Sequence, residues 1–261
     1  MTTQPRAPKG AGRERLAAEP AAENAADAQR HRGMMIRAGG AALVMVLVVG
    51  IGLAVIMWRK PTVDVTATKP AGVTATLGYP TGTVSKPVLD LYEDFRCPIC
   101  KAYEANLGSK IRVLAASGKA SVVYHSLTFL DSTNLNVAGA PPKSSTRAAN
   151  AAACAQDQGK FPDYHGTVYL NQSATEGAGF TDDQLIGFGK EAGVTDMTTF
   201  TQCVKDEQYI GFLTQVAAEA DTRQVTGTPT FFVAGKMLSF TSAKSWDDIM
   251  KIITDAIAAA G

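Results

Sequence analysis

The sequence predicts an α/β domain with an inserted helical block, carried behind a single membrane-spanning helix. Three observations predict it. An uncharged apolar run covers Ala38 to Trp58. Two short apolar runs, Val88–Tyr92 and Ala120–Leu130, flank a helical stretch. A long segment of helical periodicity, about 144–225, then separates them from a hairpin and a last amphipathic helix. The order is strand, helix, strand, helical block, hairpin, helix, which suits helices packed on one mixed sheet.

The chain has 261 residues, too many for one small domain and few for two full ones, so part of it is expected to lie outside the globular fold. Lys plus Arg number 25 and Asp plus Glu 24, so the surplus of cations that nucleic-acid binding requires is missing. An apolar fraction of 46% supports an ordinary core. The four cysteines form an even count, as suits an oxidising compartment in which each thiol finds a partner.

Residues 1–33 are rich in Ala, Arg, Glu, Gln and Pro and hold no aromatic residue. They bury too little apolar surface to order themselves, and residues 1–37 read as a disordered cytoplasmic tail. Residues 38–58 are long enough to cover the hydrocarbon core of a bilayer as a transmembrane helix. Arg37 closes the run on one side, Arg59 and Lys60 on the other, and Trp58 stands at an interfacial position. Upstream lie Arg6, Lys9, Arg13, Arg15, Arg30, Arg32 and Arg37, against only Arg59, Lys60 and Lys69 just downstream. That asymmetry puts the N-terminus in the cytoplasm and the bulk of the chain outside. The alternative is a cleaved signal peptide, with Val65-Thr66-Ala67 as a weak cleavage pattern, but the n-region and the apolar run are both long for one. Residues 59–83 read as a linker or a first edge strand, and 84–261 as the globular domain.

Within that domain, Val88–Tyr92 follows Pro87 and reads as a buried strand. It leads into Cys97-Pro98-Ile99-Cys100. Pro98 suits the first turn of a helix, where its missing N–H has no intrahelical partner to lose. The helix is expected to run to about Ser117 and stop at Gly118. Ala120–Leu130 reads as a second buried strand. In the helical block, Thr181-Asp-Asp-Gln184 forms a capping box, Gly193 ends that helix, and Asp196 caps the next. Ile210, Leu213, Ala217 and Ala220 recur at helical spacing. Thr230–Val233 and Met237–Phe240 read as a hairpin around Ala234-Gly235-Lys236. Ser245 caps a last helix with Trp246, Ile249, Ile253 and Ile257 on one face.

A Cys-x-x-Cys at a strand-to-helix junction is a redox device for a physical reason. Free N–H groups and the positive end of the helix dipole stabilise the first thiolate. The thiolate is the species that exchanges with disulfides. Cys97 is therefore expected to attack or be attacked, and Cys100, one turn on, to resolve the mixed disulfide. Half a zinc site is a competing reading, but a second ligand pair is missing from the sequence, so no metal is expected. An inert structural disulfide is the other. Gly227-Thr228-Pro229-Thr230 stands directly before an apolar strand, where Pro is permitted on any reading.

These features resemble the DsbA-like branch of the thioredoxin superfamily. The stretches that carry the resemblance are 88–100, Arg-Ala-Ala-Asn-Ala-Ala-Ala-Cys-Ala-Gln-Asp-Gln-Gly-Lys-Phe (147–161) and Val-Thr-Gly-Thr-Pro-Thr-Phe-Phe-Val-Ala-Gly-Lys (225–236). They span nearly all of 84–261 in the family's order. The resemblance implies a thioredoxin fold with a helical insertion, catalytic Cys97 and Cys100 with Pro98 and Ile99 as spacer, and a cis peptide at Thr228–Pro229. Thr228 and Pro229 would line the groove in which an extended client peptide pairs as a strand adds to a sheet edge. Many relatives carry an acidic residue six positions before the first cysteine. Leu91 stands there here, with Glu93 and Asp94 at the strand end, so proton transfer through water is expected. The strongest oxidants of the family have a His where this chain has Ile99, so a milder oxidant is expected.

Cys154 and Cys203 lie in the helical block as two buried thiols or one structural disulfide, and an extracytoplasmic location favours the disulfide. His31, His125 and His165 show no metal or triad spacing. The leading reading is an oxidase of client-protein cysteines, needing no cofactor and reoxidised by a membrane partner of the quinone-reducing type. Its rivals are a reductase or isomerase kept reduced by another membrane partner, and a copper-handling or scaffold protein using Cys97 and Cys100, for which His125 is the candidate third ligand.

Overall fold

The computed structural model describes residues 64–82, 86–132 and 137–261. The expected tail and the expected membrane span at 38–58 lie outside the described residues. Among those described, no helix is long and apolar enough to cross a membrane.

The chain enters through residues 64–82, which are held against the helices that follow. Gln215 donates to the carbonyl of Asp64 and Gln156 to that of Ala71, and Ala71 N–H donates to Asp157. Tyr79 is fully buried with its ring stacked on Phe161 at 4.1 Å. It opens β1 (Tyr79–Thr81), an edge strand antiparallel to β3 (Ser121–Ser126). The central strand β2 (Val88–Glu93) runs parallel to β3 and antiparallel to β4 (Thr230–Val233), and β5 (Lys236–Met237) closes the far edge. The sheet order is β1-β3-β2-β4-β5.

From β2 the chain turns into α1 (Pro98–Tyr103), continues through a π-helical turn (Glu104–Gly108), and finishes as α2 (Ser109–Ala116). The stop falls at Gly118, whose φ of 70° is costly for any residue with a Cβ. The insertion comprises α3 (Ser144–Gln156), α4 (Phe161–Leu170), α5 (Asp182–Glu191), α6 (Met197–Lys205) and α7 (Ile210–Thr222). The Thr181–Gln184 capping box closes both ways, and Asp196 caps α6 through Thr199 N–H. The last helix, α8 (Trp246–Ala260), starts on Ser245 and buries Ile253 and Ile257. This is a thioredoxin-fold α/β domain with a helical insertion.

Two expected strands are shorter than their apolar runs. The run Ala120–Leu130 pairs only over Ser121–Ser126, because its partner β2 ends at Glu93, and Leu127 N–H makes the last bond to the Glu93 carbonyl. A 3₁₀ turn follows at Phe129–Ser132. The hairpin turns on two residues, Ala234 and Gly235, both with positive φ, so Lys236 already pairs with Val233. Its return strand ends at Met237. Leu238 N–H still reaches the Phe231 carbonyl, and Phe240 packs edge-on against Phe231.

Candidate active site

The site lies where β2 hands over to α1. Asp94 makes the hand-over rigid. Its carboxyl is fully buried and accepts from Arg96 N–H, Leu130 N–H and Ser145 Oγ–H, tying the turn to the 3₁₀ segment and to α3. Burial pushes this carboxyl up to about 6.

Cys97 is the N-cap of α1, in extended backbone at φ −72°, and Pro98 takes the first helical position. Cys100 N–H points at Cys97 Sγ from 3.4 Å. The Cys97 thiol is brought down to about 6, first by the hydrogen bond from the Cys100 thiol, then by the Thr228 side chain and the Cys100 and Ile99 backbone amides, against its own desolvation. Cys100 is wholly buried, and burial pushes it well above the ordinary thiol range. Both are free thiols. The two cysteines therefore differ sharply although both are buried: Cys97, 5% exposed at the helix N-cap, forms the thiolate, and Cys100, fully enclosed, retains its proton.

Cys97 Sγ lies 3.4 Å from the carbonyl of Thr228, and the Thr228–Pro229 peptide is cis. Spacer residues Pro98 and Ile99 are exposed beside the sulfur, Ile99 at 58%. Thus the structure brings Cys97, Pro98, Ile99, Cys100, Thr228 and Pro229 together. Cys154 and Cys203 belong elsewhere: they form a disulfide between α3 and α6, with Cα atoms 5.9 Å apart.

Two residues of the site were not singled out from the sequence as acting together. Glu93, the last residue of β2, is buried, and its Oε2 lies 2.8 Å from Nε2 of the buried His165 on α4. Burial raises the Glu93 carboxyl, and its charge is felt at Cys100. The acid missing at Leu91 is thus present two residues later. The alternation of β2 was the available signal: Leu89, Leu91 and Glu93 share one face of the strand.

His125, the candidate copper ligand, is fully buried on β3, stacked on Tyr92 at 4.2 Å, and its Nε2 is 3.0 Å from Asp90 Oδ1. That carboxylate also accepts from Arg223, so Nε2 of His125 is engaged in a buried polar cluster. Among the described residues, no group of three His, Cys, Asp or Glu side chains is placed to hold a metal ion.

Known proteins share the fold that positions this site. A family model described as thioredoxin matches residues 81–255. Oxidised DsbA of Mycobacterium tuberculosis is similar in structure, with a TM-score of 0.54 and 26% identity over 70% of this chain and 100% of that one. Reduced DsbG of the same organism gives 0.55 and 26% over 70% and 93%. BdbD of Bacillus subtilis gives 0.57 over 74% and 99%, at 19% identity, a likeness of fold. No curated protein matches the chain.

Proposed function

Because the chain belongs to the thioredoxin family, we propose that it is an extracytoplasmic thiol:disulfide oxidoreductase that oxidises client-protein cysteines through Cys97 and Cys100. The observation that carries this reading is the split between the two thiols: Cys97 at about 6 on a helix N-terminus, Cys100 buried and far higher. Solved structures of DsbA and DsbG, both similar to this chain, support the redox class.

The catalytic cycle follows from that split. A client thiolate attacks Cys97 Sγ of the Cys97–Cys100 disulfide, and Cys100 leaves as a thiolate. Its high proton affinity makes it take up a proton, which the Glu93–His165 pair is placed to supply. A second client thiol, deprotonated to water, then attacks the client sulfur of the mixed disulfide. The client disulfide forms and Cys97 leaves as a thiolate, a good leaving group because its conjugate acid is strong. Two electrons have passed to the enzyme and both client protons to solvent, the proton on Cys100 having come from the Glu93–His165 pair. A membrane partner of the quinone-reducing type would take both electrons back, with Glu93 receiving the Cys100 proton. The Thr228–Pro229 segment would seat the client backbone. In this reading residues 38–58 anchor the protein, 1–37 face the cytoplasm, and 84–261 work outside.

Ile99 offers no side-chain hydrogen bond to the thiolate, in keeping with a moderate oxidant. The deciding experiment is the reduction potential of the Cys97–Cys100 pair by equilibration with glutathione. A value between about −120 and −200 mV supports the oxidase. A value near or below about −250 mV transfers the protein to the reductants.

A further inference from the structure

The inference rests on the oxidoreductase reading and concerns what holds Cys97 in line with its helix. The helical insertion grips the active-site turn just after α4. The Gln172 side-chain amide donates to the carbonyl of Phe95 at 2.7 Å and to that of Cys97 at 3.1 Å. Both hydrogens of a primary amide are thereby used. In return Lys101, next to Cys100, donates through Nζ to the Gln172 carbonyl at 2.5 Å. Tyr169 donates its hydroxyl to the carbonyl of Asp94 at 3.2 Å. Gln172 and Tyr169 are both buried.

These bonds land on the carbonyls of Asp94 and Phe95 in the turn before the nucleophile and on the carbonyl of Cys97 itself. The Cys97 carbonyl also accepts the first intrahelical bond, from Lys101 N–H at 3.1 Å. It therefore sits in two hydrogen bonds, one from the helix and one from the insertion. Rotation of that peptide plane would break one of them and swing the Cys100 amide off Cys97 Sγ. That alignment is one of the contributions that stabilise the thiolate, beside the Cys100 thiol and Thr228, and N-cap stabilisation falls off within the first turn.

We propose that Gln172 is a positioning residue: by fixing the Phe95 and Cys97 carbonyls it keeps Cys97 Sγ in line with the α1 amides, so the helical insertion sets the oxidising strength of the pair. Loss of the grip makes the thiolate, and with it the reduced form, less favourable.

Gln172→Met is the test, because it keeps the length and loses both donors. Two quantities are read on the wild type, Gln172→Met and the neighbouring control Asn171→Ala: the midpoint of Cys97 alkylation against pH, and the equilibrium constant with glutathione. For Gln172→Met the midpoint should move up, and the constant should shift toward the oxidised protein by about three- to tenfold, tenfold being 29.6 mV for a two-electron pair. Asn171→Ala should move neither. A merely structural role would lower the melting temperature and leave both readouts in place, and that result overturns the proposal. So does an equal shift in Asn171→Ala, which would mean general loosening of the turn. If Gln172→Met does not fold, Gln172→Asn, which withdraws the amide by one methylene, is read by the same criteria. A wild-type pair that does not exchange with glutathione overturns the oxidoreductase reading, and the alkylation midpoint then still decides the role of Gln172.

Discussion

The Cys97 thiol loses its proton at about 6 because Cys100 and Thr228 hydrogen-bond to it and the first amides of α1 point at it. An ordinary cysteine titrates near 8.5. Alkylation of the reduced protein by iodoacetamide should therefore show a midpoint near pH 6, and Thr228→Val, which removes one of those hydrogen bonds, should raise it. A midpoint at or above 8 for the wild type would refute the assignment of Cys97 as nucleophile. Cys100 poses the opposite problem, since its proton must arrive and depart inside the protein. Glu93→Gln keeps the contact with His165 but cannot exchange a proton. It is expected to slow resolution of a client mixed disulfide by roughly tenfold or more, within the usual range for general acid–base groups. Stopped-flow measurement of an unchanged rate would assign proton transfer to water alone. The cysteines could be read from the sequence because their spacing is local. The Glu93–His165 pair could not: its members are 72 residues apart, and only the packing of α4 on the sheet brings them together.

At the scale of elements, helices were more legible than strand ends. Caps are local signals, and Thr181, Asp196 and Ser245 each bond the amide that the sequence pattern implies. Strand length depends on a partner elsewhere. Leu127, Leu130, Leu238 and Phe240 are apolar and pack on the core, yet lie outside the ladder, so apolarity marked burial and not pairing. The π turn between α1 and α2 left no periodic signature. Its trace is Gly108, where a Cβ would stand 2.3 Å from the Glu104 carboxyl that pairs with Arg112. The disulfide is the element-scale feature with the largest measurable consequence. It closes 49 residues, worth about 4 kcal/mol in the chain-entropy model. Cys154→Ala with Cys203→Ala should lower the melting temperature by roughly 10 °C for a domain of this size. The Cys97 alkylation midpoint should not move, since the disulfide joins α3 to α6 and touches none of the groups that set it. A shift in that midpoint would show that the insertion transmits its rigidity to the active-site turn.

For the molecule as a whole, the same proton chemistry links redox state to stability. Asp94 is common to the oxidised and reduced forms. Its raised value means that its contribution to stability is full below about pH 4 and is lost as pH rises through about 6, equally in both forms. Cys97 differs between them. In the reduced form its folded value is depressed, so its contribution is full above the unfolded value of about 9 and is lost as pH falls through about 6. The Cys100 value is raised above the ordinary range, so its loss falls at higher pH, beyond this window. The difference in melting temperature, reduced minus oxidised, should therefore rise steadily from pH 6 to pH 9, while the common Asp94 contribution cancels. Calorimetry on the two forms, with Cys154–Cys203 kept intact in both, measures that difference directly. A reduced form that gains nothing across the window would mean that the folded thiolate is no better held than the unfolded one. The protein would then lack the stabilisation of its reduced state on which an oxidase depends, because a pair oxidises its clients only as far as its own reduced form is favoured.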